Sequence, residues 1–94
     1  MSESVLKALK PYKLLAFGVK LTDSGHTITK EEFSHLIKTY LEVSGIELKE
    51  FAYSLDVSPP TAQRWFDGKN MPYQACAETV VKTIVKDLAE YYCE

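Results

Sequence analysis

Thr61, Gln63 and Arg64, just after Ser58-Pro59-Pro60, are the residues of this chain best equipped for polar recognition. A glutamine amide sets a donor beside an acceptor and can pair bidentately with the N6 and N7 edge of adenine. An arginine guanidinium can read guanine or clamp a phosphate. Thr61 offers a hydroxyl to a base or a phosphate and a methyl to thymine. Ser58 and Gln63 can also bond phosphate oxygens. Pro59 and Pro60 have no N–H donors, so they are limited to apolar or shape contacts. One good bidentate pair contributes roughly 1–3 kcal/mol of discrimination between bases.

Other chemistry is thinly represented. His26 falls in a loop and His35 on a helix, and neither has a carboxylate or cysteine at ligand spacing. Glu31 and Glu32 are adjacent, so they point apart and make a poor acid–base pair. Both suit the first turn of a helix, where they complement its dipole. Cys76 and Cys93 form no Cys-x-x-Cys pair, whereas a zinc site needs about four clustered ligands. Cys76 is expected as a buried thiol and Cys93 as a free thiol near the tail. Glycines are few and no phosphate-cradling loop is present. The expectation is a protein that is not an enzyme and that has no metal and no cofactor.

The elements that must position the recognition residues are helical. Ser2 or Ser4 can cap a first helix with Val5, Leu6 and Leu9 on one face, and Pro11 interrupts it. The apolar stretch from Tyr12 to Leu21 has an ambiguous period and continues as helix to Gly18 or contains extended backbone. Thr22 to His26 is a loop by composition. Thr29 with Glu32 forms a capping box, and Phe33, Leu36, Ile37, Tyr40 and Leu41 follow as one apolar stripe. Gly45 stops that helix. Leu48, Phe51, Ala52 and Leu55 give a short helix. Ser58 caps the next, with Pro59 suited to its first turn, and Gly68 ends it. Pro72 opens a final helix over 72–93, with Tyr73, Ala77, Val80, Ile84, Leu88 and Tyr91 on one face. Cys76, Val81, Val85 and Tyr92 widen that apolar surface.

The turn between the two short helices must pass through a residue tolerant of positive φ. That position falls on Asp56, where glycine is easiest and aspartate is permitted. Ala52 is small enough for two steeply crossing helices to touch. Leu55 and Val57 bracket the turn and point inward. Ala62 and Trp65 face the core, leaving Thr61, Gln63 and Arg64 outside.

The run Phe51-Ala52-x-x-Leu55-x-Val57-Ser58-x-x-Thr61-x-x-Arg64-Trp65-x-x-Gly68-Lys69-x-x-Pro72 resembles the helix-turn-helix of the lambda-repressor-like superfamily, of the Cro and xenobiotic-response-element type. The close match covers about a quarter of the chain, from 47 to 72. The resemblance implies an all-α compact bundle of about five helices, with the first residues of the helix 59–66 (Pro59, Pro60, Thr61, Gln63) meeting base edges in the major groove and Arg64 at the flank. It also places Lys69 and Asn70 where related proteins contact the phosphate backbone. Leu48 stands where the family often has a phosphate-binding glutamine, and Asp56 where it often has glycine. Ala62 is smaller than the bulky aliphatic frequent in the family. Residues 1–28 are longer than the family's usual lead-in and form an N-terminal extension of a single domain, 1–94.

Ninety-four residues suffice for one modest core without disulfides or metal. Apolar content of 46% is ordinary for a folded domain. No stretch approaches ~18 continuous apolar residues, and no signal peptide is recognisable, so a cytoplasmic protein with no membrane association is expected. The net charge of −2 is unevenly spread. Lys7, Lys10, Lys13, Lys20 and Lys30 outnumber Glu3 and Asp23, whereas residues 31–57 set six acids against Lys38 and Lys49. Dedicated DNA-binding domains are often strongly basic, because phosphate neutralisation supplies most non-specific affinity.

These features lead to a sequence-specific regulator of transcription, a dimeric repressor on double-stranded DNA. One or two base contacts are too few to find a site in a genome, which argues for a homodimer on two half-sites roughly 34 Å apart. The final helix is the expected dimer surface and the N-terminal lysines an arm along the phosphates. Two alternatives fit the acidic balance: an antitoxin that holds a toxin and autoregulates its operon, or a helix-turn-helix fold kept for protein–protein interaction.

Overall fold

Thr29 begins the best-defined helix of the molecule. Its hydroxyl accepts from the Glu32 N–H at 3.1 Å while the Glu32 carboxylate accepts from the Thr29 N–H at 2.9 Å, which completes a reciprocal capping box. The computed structural model describes residues 13–23 and 25–92. Five helices follow in order among them: α1 over 13–21, α2 Lys30–Ser44, α3 Leu48–Ser54, α4 Pro59–Phe66 and α5 Gln74–Tyr92. The described residues contain no strand. The architecture is an all-α bundle, and its radius of gyration, 13.0 Å, is that of a compact chain of about 100 residues. The expected caps at Ser2 or Ser4, the break at Pro11 and the Cys93 thiol lie outside the described residues.

One core runs through the bundle. Phe33, Leu36 and Ile37 of α2 are fully buried against Val81, Ile84 and Leu88 of α5, with Leu21 of α1 and Ile28 of the following loop. Tyr40 and Phe51 stack at a tilt, and the Tyr40 hydroxyl donates to the Asp87 carboxylate, tying α2 to α5. The ambiguous stretch before Thr22 is helical through Leu21, and Gly18 lies inside the helix rather than at its end. A methyl at Gly18 would lie 2.6 Å from Val85 Cγ2 and 3.8 Å from Leu36 Cδ1. The missing side chain is what lets α1 come down between α2 and α5.

That packing accounts for part of the apolar surface of the last helix. Val81 is fully buried and Val85 is half-buried against Gly18. Part of the additional apolar width of α5 is therefore met within the chain, Val81 by the common core and Val85 by Gly18 of α1. The helix also starts later than Pro72. The Tyr73 carbonyl accepts from the N–H groups of Cys76 and Ala77, which makes Tyr73 the residue that precedes the helix. Its ring is 78% exposed and is not on the buried face. Gln74, the first helical residue, closes a two-point amide clamp instead. It accepts from the Ile28 N–H at 3.0 Å and donates to the Ile28 carbonyl at 2.7 Å.

No helix among the described residues is long and apolar enough to cross a membrane. Cys76 is a free, half-buried thiol rather than a fully buried one.

Candidate nucleic-acid interface

The segment from α3 to Asn70 is built from two copies of one stop signal. At the end of α3 the Val57 N–H reaches the Ala52 carbonyl (3.0 Å) and the Asp56 N–H the Tyr53 carbonyl (3.1 Å). At the end of α4 the Lys69 N–H reaches the Arg64 carbonyl (3.0 Å) and the Gly68 N–H the Trp65 carbonyl (3.1 Å). Both are Schellman closures, which need a left-handed residue in the middle. Asp56 supplies it at φ 59° and Gly68 at φ 74°. Asp56 is the only non-glycine described residue with positive φ, as the sequence pattern requires of the turn.

Between these stops, Ser58 has extended backbone and caps α4. Its Oγ accepts from the Thr61 N–H at 3.4 Å and shares a hydrogen with Thr61 Oγ1 at 2.8 Å. Pro59 and Pro60 occupy the first turn, where no N–H is needed. Ala62 is completely buried, as is Ala52 on α3, so two side chains no larger than methyls meet the core where α3 and α4 pack. Trp65 is buried edge-on against Phe33 of α2, with ring centroids 5.5 Å apart.

The inward anchors leave the other face of α4 to solvent. Ser58, Pro60, Gln63, Arg64, Lys69 and Asn70 are exposed, and Pro59 and Thr61 are half-buried. The eight residues singled out for recognition thus lie along one helix and its exit. They are not all equally free. The hydroxyls of Ser58 and Thr61 are engaged with each other, and Gln63 Nε2 donates to Asp67 Oδ1 at 3.1 Å. The Lys69 backbone is fixed by the Schellman bond, so its side chain leaves the surface from a defined point.

Three residues outside that set shape the same end of α4. The Ser34 hydroxyl, from the buried face of α2, donates to the Phe66 carbonyl at 2.6 Å. Lys38 Nζ sits 5.5 Å from the centre of the Phe66 ring, a contact that holds a cation beside the helix end. Asp67 accepts from Gln63. Glu31, Ser34, His35, Lys38, Asp67 and Gly68 together line a shallow depression of mixed charge. A serine embedded in the apolar stripe Phe33–Leu41 was a visible signal, since buried hydroxyls need partners. The partner's identity was not legible.

The two histidines also acquire neighbours. His35 meets the Phe17 ring edge-on at 5.3 Å. His26 corrects the reading that it lacks a carboxylate partner: its Nε2 is 3.1 Å from Glu32 Oε2. The loop folds back over the start of α2, which brings the two side chains together. Burial works to raise the Glu32 pKa, but the Thr29 N–H, the His26 ring and the Thr29 hydroxyl outweigh it and hold the carboxyl below its ordinary value. Among the described residues no group of three or more His, Cys, Asp or Glu side chains is placed to hold a metal ion.

Comparison with models of known protein families, with curated proteins and with solved structures finds no match for this chain.

Proposed function

We propose that the chain is a sequence-specific DNA-binding regulator of transcription that lays α4 in the major groove of double-stranded DNA, acting in the cytoplasm as a repressor. The observation that carries this reading is the division of α4 into two faces. Ala62 and Trp65 anchor it, while Gln63 and Arg64 stand outside next to Lys69 and Asn70. Gln63 and Arg64 supply base-edge chemistry, and Lys69 and Asn70 supply phosphate contacts. The lambda-repressor-like resemblance of residues 47–72 supports the same assignment.

A homodimer remains part of the proposal on the half-site argument, because one helix with two reading side chains gives too little discrimination alone. The width of α5 adds less to it, since Val81 is buried in the chain's own core and Val85 packs on Gly18 of α1. The test is selection of bound duplexes from random DNA, followed by titration of the selected site at about 50 and 200 mM salt. Enrichment of a two-fold symmetric sequence with salt-sensitive affinity is expected. Failure to enrich any sequence would move the acidic balance to the foreground and favour a protein-binding use of the fold, the toxin-holding antitoxin included.

A further inference from the structure

We propose that Asp67 is the positioning residue for the Gln63 amide, and that it sets which way round the protein reads an adenine–thymine pair; this rests on the DNA-binding reading above. Gln63 and Asp67 are four residues apart, which makes their side chains neighbours on one helix face. Both are exposed, and Gln63 Nε2 donates to Asp67 Oδ1 at 3.1 Å.

An ionised carboxylate only accepts hydrogen bonds. It therefore pairs with the amide nitrogen and rejects the amide oxygen, selecting one of the two orientations related by a half-turn about the Cγ–Cδ bond. One N–H of Nε2 is used in this contact. The other N–H and Oε1 remain, and they are the donor–acceptor pair that matches adenine N7 and N6–H.

The order of those two groups matters. An A·T pair and the inverted T·A pair present the adenine N7 and N6–H in opposite order along the major groove. An amide free to make its half-turn can meet either. An amide held by Asp67 presents one order and meets one of them better. Asp67 acts through Gln63 and needs no contact with the DNA.

Asp67 is also a negative charge beside a surface meant for phosphates, so the test must separate the charge from the acceptor. Two duplexes are compared, identical except for inversion of the one A·T pair at which Gln63→Ala loses preference. Wild type is expected to favour one orientation roughly 5- to 150-fold, the range of a single bidentate contact. Asp67→Ala is expected to bring the ratio to within about twofold, while affinity for both duplexes is kept or raised. Asp67→Asn drops the charge and adds an N–H2 donor that suits the flipped amide as well, so it is expected to lose the preference as Asp67→Ala does. Glu31→Gln removes a charge from the same depression without touching Gln63, and it is expected to keep the preference.

Retention of the full ratio by Asp67→Ala overturns the positioning role. Retention of the full ratio by Asp67→Asn, or its loss in Glu31→Gln, overturns it too, since acceptor-only pairing would then not be the cause. A wild-type protein that enriches no sequence overturns the DNA-binding reading and this inference with it. A wild-type protein that binds its site without preferring either orientation overturns this inference alone.

Discussion

The Ser34 hydroxyl donates a 2.6 Å hydrogen bond to the Phe66 carbonyl, joining the buried face of α2 to the last turn of α4. The final carbonyls of a helix have no partner within it. A Cβ at Gly68 would stand at ordinary contact distance, 3.6 Å, from Ser34 Cβ and Oγ, so its left-handed backbone rather than lack of room calls for glycine there. Ser34→Ala removes the donor and leaves the carbonyl without it. A loss of about 1 kcal/mol is expected. Trp65, the only tryptophan, lies one residue before the bond and provides a fluorescence signal for urea unfolding. An unchanged midpoint would show that water replaces Ser34 without cost.

Gly18 is expected to resist the substitution that usually strengthens a helix. Alanine in a helix interior is favoured over glycine by about 0.8–1 kcal/mol. Overpacking against the stiff Val85 side chain, 2.6 Å away, is expected to cost about 1–3 kcal/mol. Gly18→Ala should therefore destabilise, and in a Val85→Ala background the same change should stabilise. Thermal unfolding of the four proteins in a double-mutant cycle checks this. Additive effects would contradict the packing described.

Asp56 occupies a left-handed conformation at φ 59° that glycine adopts freely. Asp56→Gly is expected to stabilise by roughly 0.5–1 kcal/mol and Asp56→Ala to destabilise. The comparison by chemical denaturation is decisive, because the two variants remove the same carboxylate. If both shift stability in the same direction, charge rather than backbone conformation controls the site.

Acid should loosen the start of α2. The folded-state pKa of Glu32 is depressed, so its stabilising contribution is present above the unfolded value, about 4.3. It is lost as pH falls through the lower folded value. Glu32→Gln keeps an oxygen for the Thr29 N–H, as a glutamine capping box does. It should therefore unfold with a smaller loss of stability between about pH 5 and pH 2 than wild type does. Equal acid sensitivity of the two proteins would assign the effect to other carboxylates.

Two side chains of the proposed interface should differ in kind. Lys69→Ala is expected to weaken all duplexes alike and to reduce the salt slope by about 1. Gln63→Ala is expected to relax preference at one base pair, at a loss of about 1–3 kcal/mol on the preferred site. Fluorescence anisotropy at several salt concentrations separates the two outcomes.

Features decided within a few residues were legible in the sequence. The Thr29–Glu32 box, the Ser58 cap, the turn at Asp56 and the stop at Gly68 each depend on near neighbours. So does the outward side of α4, because Ala62 and Trp65 define its inner face. Features that depend on distant partners were not. Gln74 reads as an ordinary polar residue until Ile28 is beside it. His26 acquires its carboxylate only when the loop turns back. The start of α5 was misread because Pro72 suits a first helical turn but also the residue before a cap, and local sequence does not separate the two. Within the candidate site, the exposure of Gln63, Arg64, Lys69 and Asn70 follows from local sequence. Asp67, Ser34 and Lys38 belong to contacts that only the packing of α2 on α4, or the rotamer of Gln63, brings together.

Leu14, Leu21 and Ile28 place α1 and its loop in the same core as the rest of the chain. Lys13 and Lys20 are exposed on that helix, about 10 Å apart along its axis at 1.5 Å per residue. They are therefore cations on a rigid rod and not the tips of a loose arm. Their backbone is ordered before any phosphate arrives, so binding does not have to pay for it. The same rigidity restricts them: the pair can meet one duplex together only along directions that the packing of Gly18 on Val85 permits. A buried glycine of α1 would then govern the angle at which the molecule and a polyanion approach each other.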